Sequence, residues 1–175
     1  MVFFAYTLWV LGLTHIAPNT QLTIVVVLSV AAVPSIYLSV RNFGAIVNFV
    51  RENWAVLVAA EALFIGFYLA WVAIVSEVPA INHTEKPMDF GFMNAVLQSR
   101  FFPPEDPWLS GNNISYYYFG HFMMAFLVQL SGVASSVGYN LGMSLVPALV
   151  AVGAFGLVYN LVRLSGGSLR AGLVF

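Results

Sequence analysis

The chain contains no cysteine, which excludes disulfide bridges and thiolate metal sites. Charge is nearly as scarce. Six Lys/Arg and seven Asp/Glu make up 7% of 175 residues, against about a quarter in a soluble domain. The net charge of −1 leaves no basic surface for a nucleic acid. There is no internal repeat or low-complexity tract, and no Gly-rich phosphate loop, zinc-binding His pair or nucleophile elbow. No basic residue precedes the apolar opening, so Met1 to Ile16 lacks the positive start of a secretory signal and reads as a retained helix.

What fills the chain instead is apolar: 61% of its residues are hydrophobic. A bilayer removes the reason for a charged surface and demands helices whose backbone is satisfied internally. The expectation is an all-α membrane protein, a single domain over residues 1–175 with about five transmembrane helices at roughly 2–16, 22–40, 54–75, 117–130 and 139–162. Pro18 ends the first, and Asn19 or Thr20 can cap the second. Arg51, Glu52 and Trp54 mark a membrane interface before the third. Pro147 lies inside the fifth, where it would kink the helix. Both chain ends are apolar, the last at Leu173, Val174 and Phe175, which suggests further helices in a longer protein.

One long polar loop, residues 76–116, interrupts this pattern. It holds Glu77, Glu85, Asp89, Glu105 and Asp106, five of the seven acids, with Lys86, Arg100 and His83. Met88, Phe92 and Val96 recur every four residues, so Met88 to Gln98 reads as a short amphipathic helix on the membrane surface. Pro87 suits its first turn, and Asp89 would sit near the positive end of its dipole. Pro103, Pro104 and Pro107 forbid helix afterwards, and Gly111-Asn112-Asn113 is a turn. With this loop outside, five spans leave Arg41 and Arg51 inside and put Lys86, Arg100, Arg163 and Arg170 outside, an imbalance that the positive-inside rule would reverse.

The candidate chemistry clusters in and beside the loop. Asp89 and Glu85, partly desolvated against apolar helices, suit a base or metal ligand; the plainer reading is a helix cap and a solvated ion pair with Lys86. Lys86 and Arg100 could hold a phosphate, or anchor the loop among headgroups. Tyr116, Tyr117 and Tyr118 form an aromatic belt, but three in a row cannot all face one way, so at least one points inward and needs a hydroxyl partner. His121 is a relay, a ligand or a hydrogen-bonded structural residue. Glu61, the acid well inside a span, faces an ion path or braces helices as a neutral acid. With His121 it defines an alternative, a transporter or channel subunit; a non-catalytic assembly subunit is a third reading. Gly138 and Gly142 favour close helix packing. Asn82-His83-Thr84 and Asn113-Ile114-Ser115 match glycosylation acceptors.

Glu85-Lys86-Pro87-Met88-Asp89-Phe90, Gln98-Ser99-Arg100-Phe101-Phe102-Pro103-Pro104, Asp106-Pro107-Trp108 and Tyr116-Tyr117-Tyr118-Phe119-Gly120 together resemble the "YYY" family of large prokaryotic membrane proteins, a domain family of unknown function. That family in turn looks like the type C glycosyltransferases, which take sugars from polyprenyl-phosphate donors. The resemblance implies a prokaryotic plasma-membrane enzyme with a lipid-linked sugar donor and additional helices. It places Asp89 at the catalytic position with Glu85 as second acid, leaving the choice between them open because Phe90 stands where an adjacent acid is common. Lys86, Arg100, Asp106, Tyr116, Tyr117, Tyr118 and His121 become candidate substrate contacts, and a divalent metal stays open as a cofactor.

Overall fold

A computed structural model describes residues 1–166; Arg170 and the closing Leu173, Val174 and Phe175 lie outside the described residues. Among the described residues there are six helices and no strand: α1 (Val2–Leu13), α2 (Gln21–Arg41), α3 (Phe43–Glu77), α4 (Lys86–Gln98), α5 (Phe119–Ser131) and α6 (Ser135–Leu164). α4 is the expected loop helix. It begins at Lys86, because Pro87 falls in the first turn, where its missing N–H costs nothing.

Three helices, α2, α3 and α6, are long and apolar enough to cross a membrane, where five were expected. α1 and α5 have 12 and 13 residues, or about 20 Å at 1.5 Å per residue, short of a hydrocarbon core of roughly 30 Å. Their apolar faces are spent on protein. Ala5 and Leu8 of α1, and Phe122, Ala125 and Phe126 of α5, are buried in one core with Phe92, Met93 and Val96 of α4. α5 stops at Gly132, whose φ of 71° is the left-handed conformation of a helix C-cap. α3 starts at Phe43, well before the expected residue 54, and both Pro34 and Pro147 lie inside their helices.

The chain forms two compact units, each assembled from two separate stretches. The first comprises Met1–Leu38 and Ala80–Asn140. Asn19 fastens it. Its side-chain amide donates to the carbonyls of Val96 (2.8 Å) and Ser99 (3.1 Å), and its backbone N–H donates to Arg100 O (2.8 Å). Asn19 thus satisfies the free carbonyls at the end of α4, while Thr20 caps α2 by accepting from the N–H of Thr23. Gly12 permits Phe102 to lie flat on α1, since a Cβ there would collide with the Phe102 ring. Gly138 packs equally closely on Val128 of α5, as the Gly138/Gly142 spacing suggested.

The second unit comprises Ser39–Pro79 and Leu141–Phe175, of which residues up to 166 are described. The N-terminal half of α3 and the C-terminal half of α6 line one cavity, with Phe49, Asn53 and Leu57 across from Phe155, Tyr159 and Arg163. Arg41 precedes α3 by two residues.

Candidate functional site

α4 carries its chemistry on the first turn. Glu85, Lys86 and Asp89 fall at i, i+1 and i+4, so Asp89 shares a helix face with both neighbours. The same stripe continues into Phe92, Met93 and Val96, at i+3, i+4 and i+7 from Asp89, which are buried in the core shared with α5. This packing brings Asp89 onto the first turn of α5. His121 Nε2 lies 3.1 Å from Asp89 Oδ1, with the two side chains 18% and 31% exposed. Oδ2 of Asp89 makes no hydrogen bond among the described residues.

An aromatic wall holds the pair. Phe92 meets His121 edge-on (5.6 Å), stacks on Tyr116 (5.5 Å) and receives Trp108 edge-on (5.3 Å). Gly91 makes room for that Trp108 ring; a Cβ there would come within 2.6 Å of it. The three tyrosines divide as their spacing requires. Tyr118 is buried, and its hydroxyl accepts a hydrogen bond from Trp9 Nε1 (2.9 Å). Tyr116 and Tyr117 are exposed, stacked at 3.9 Å and joined hydroxyl to hydroxyl at 2.6 Å. The Tyr116 hydroxyl is pushed up to about 12, first by that hydrogen bond and then by desolvation, with the charges of Tyr117, Glu85 and Asp89 adding to the effect. Glu85, Asp89, Tyr116, Tyr117 and His121 thus form one neighbourhood.

Arg100 and Asp106 belong elsewhere. They line an open cleft of about 650 Å³ between the Asn94–Gln98 side of α4 and the proline-rich loop, together with Glu105 and Asn113. Nine residues of helix, about 14 Å, separate Asp89 from Gln98. Arg100 rests over the Phe101 ring at 5.6 Å. Asp106 Oδ1 accepts from the N–H groups of Trp108 (2.8 Å) and Leu109 (3.1 Å), so it shapes the loop tip. Glu61 is exposed on α3, and α3 has no buried residue. Among the described residues, no three His, Asp or Glu side chains gather closely enough to hold a metal ion.

Among the described residues, two side-chain polar atoms are buried without a hydrogen-bond partner, His121 Nδ1 and the Tyr139 hydroxyl. Tyr139 touches Phe90, the neighbour of Asp89, edge-on at 5.7 Å. Neither Tyr139 nor Trp9 carries a sequence motif; only packing reveals them.

The long apolar helices α2, α3 and α6 define the class, a multi-pass α-helical membrane protein. Within that class, the chain belongs to the family described as "Uncharacterized membrane protein (DUF2298)", whose family model matches residues 3–175. No curated protein and no solved structure matches the chain.

Proposed function

We propose that this protein is a membrane glycosyltransferase, or the acid-bearing part of one, which moves a sugar from a lipid-phosphate donor with Asp89 as base. The observation that carries the reading is the Asp89–His121 pair at 3.1 Å. With its proton on Nε2, His121 donates to Oδ1 and fixes the carboxylate, leaving Oδ2 for an acceptor hydroxyl. That hydroxyl gives its proton to Asp89 as its oxygen attacks the anomeric carbon. The bond from that carbon to the lipid phosphate breaks, and the phosphate departs with the electron pair. Lys86, on the same face as Asp89, stands where it can meet that charge. Lys86 rather than Arg100 is given this role, because Arg100 lines the cleft beside the proline-rich loop. Glu85 is the second acid of the same face.

The reading needs the loop on the side of the membrane where the donor's sugar is exposed. The test uses the absence of cysteine. Ser110→Cys gives one labelling site at the exposed loop tip. Labelling by a membrane-impermeant maleimide in intact cells is expected. Labelling only after permeabilisation would put Asp89 on the wrong side for a type C-like enzyme and overturn the proposal.

A further inference from the structure

The cavity between α3 and α6 has no part in the sugar-transfer reading. It is graded along α6. Toward the C-terminal end of α6 its walls are polar, with Tyr159, Asn160 and Arg163, and α3 contributes Asn53. Further back along α6 they become apolar, with Val152 and Phe155, and α3 contributes Val56, Leu57 and Ala60. Its volume is about 340 Å³.

The polar end is organised. The Arg163 guanidinium sits over the Tyr159 ring at 5.9 Å, and its Nη1 donates to the Tyr159 hydroxyl at 3.4 Å. Tyr159 is buried, so it holds the long arginine side chain in one place and reduces the entropy lost on binding an anion. A guanidinium has five N–H donors in a fork that matches a phosphate. The Asn53 and Asn160 amides each donate to a backbone carbonyl of their own helix, to Phe49 O and Gly156 O. Trp54, 62% exposed beside Asn53, is the residue type that marks headgroup depth.

We infer that the α3–α6 cleft binds one anionic phospholipid, its phosphate on Arg163 at the membrane surface and the start of an acyl chain along the Val56, Ala60, Val152 and Phe155 walls. A polar end at interface depth that runs into an apolar end matches an amphiphile. A free anion would use the first and leave the second empty.

The test reconstitutes the protein in phosphatidylcholine vesicles containing traces of spin-labelled phosphatidylglycerol or spin-labelled phosphatidylcholine. The motionally restricted fraction of each is compared. The wild type should prefer phosphatidylglycerol by roughly fivefold in relative association constant, the effect of one well-placed arginine. Arg163→Gln should remove most of that preference and Arg163→Lys should keep part of it, which separates charge from misfolding. Ala60→Phe, which fills the apolar end and leaves every charge in place, should also lower it. An undiminished preference in Arg163→Gln or in Ala60→Phe overturns the inference. So does loss of the wild-type preference on adding inorganic phosphate but not chloride of equal ionic strength, because the site would then be one for free phosphate.

Discussion

Oδ1 of Asp89 and Nε2 of His121, 3.1 Å apart, join two helices across 32 positions of sequence. Asp89→Asn keeps the shape of the side chain and removes its ability to take a proton. Sugar transfer from a polyprenyl-phosphate donor in membrane vesicles should fall by roughly a hundredfold or more. Glu85→Gln should cost less and Glu61→Gln nothing. Unchanged transfer in Asp89→Asn would remove the carboxylate from the chemistry.

His121→Asn removes the imidazole that fixes Asp89 and should lower the maximal rate more than it raises the donor KM. A role confined to folding would instead lower the amount of active protein and leave the KM and the rate per folded molecule as they were.

Asn19→Ala removes the amide that satisfies the carbonyls of Val96 and Ser99. Leaving them unsatisfied in a partly buried place costs about 1–3 kcal/mol. Thermal unfolding in detergent should show the loss. Trp9→Phe, which orphans the buried Tyr118 hydroxyl, should fall in the same range.

Gly12→Ala places a methyl group in the Phe102 ring. Alanine gains about 1 kcal/mol over glycine as a helix former, but overpacking costs about 1–3 kcal/mol. Because Phe102 is buried at 3% exposure and cannot swing into solvent without leaving the core, the cost should win. The same scan of unfolding temperature decides it.

Tyr116 should ionise near 12, above its ordinary 10, in an ultraviolet difference titration. Tyr117→Phe removes the principal cause and should bring the titration back toward 10. The sign follows from the raised value. The neutral form is favoured in the folded state, so this contribution to stability is whole below pH 10 and disappears as pH rises toward 12.

Much of the architecture was legible in the residues. Pro87, Asp89 and the spacing of Met88, Phe92 and Val96 located α4 because a surface helix has one period and one buried face. The geometry of three consecutive tyrosines required one to turn inward, and Tyr118 does. The number of spans was not legible for a definite reason. The apolar faces of α1 and α5 look alike in sequence whether they meet lipid or protein, and Ala5, Leu8, Phe122 and Ala125 meet protein. The Asp89–His121 pair was not legible as a pair, since each residue drew notice alone and only the packing of α4 on α5 sets them side by side. Arg100 shared a motif with Asp89 but lines the cleft beside the proline-rich loop, a separation that the order of the motif does not show.

The first unit is built from residues 1–38 and 80–140, with the whole of α3 made in between. On the ribosome, α1 is finished long before its partner α5 exists. At about 5–20 residues per second, the hundred or so residues from Leu13 to Phe119 take on the order of 10 s. Through that interval the face of Ala5 and Leu8 is bare, and the insertion machinery or lipid must shelter it. The closing event is the arrival of α5, which delivers His121 to Asp89 and covers α1 in a single step. An arrest of translation before Phe119 should therefore leave α1 open to protease, and an arrest past Asn140 should protect it.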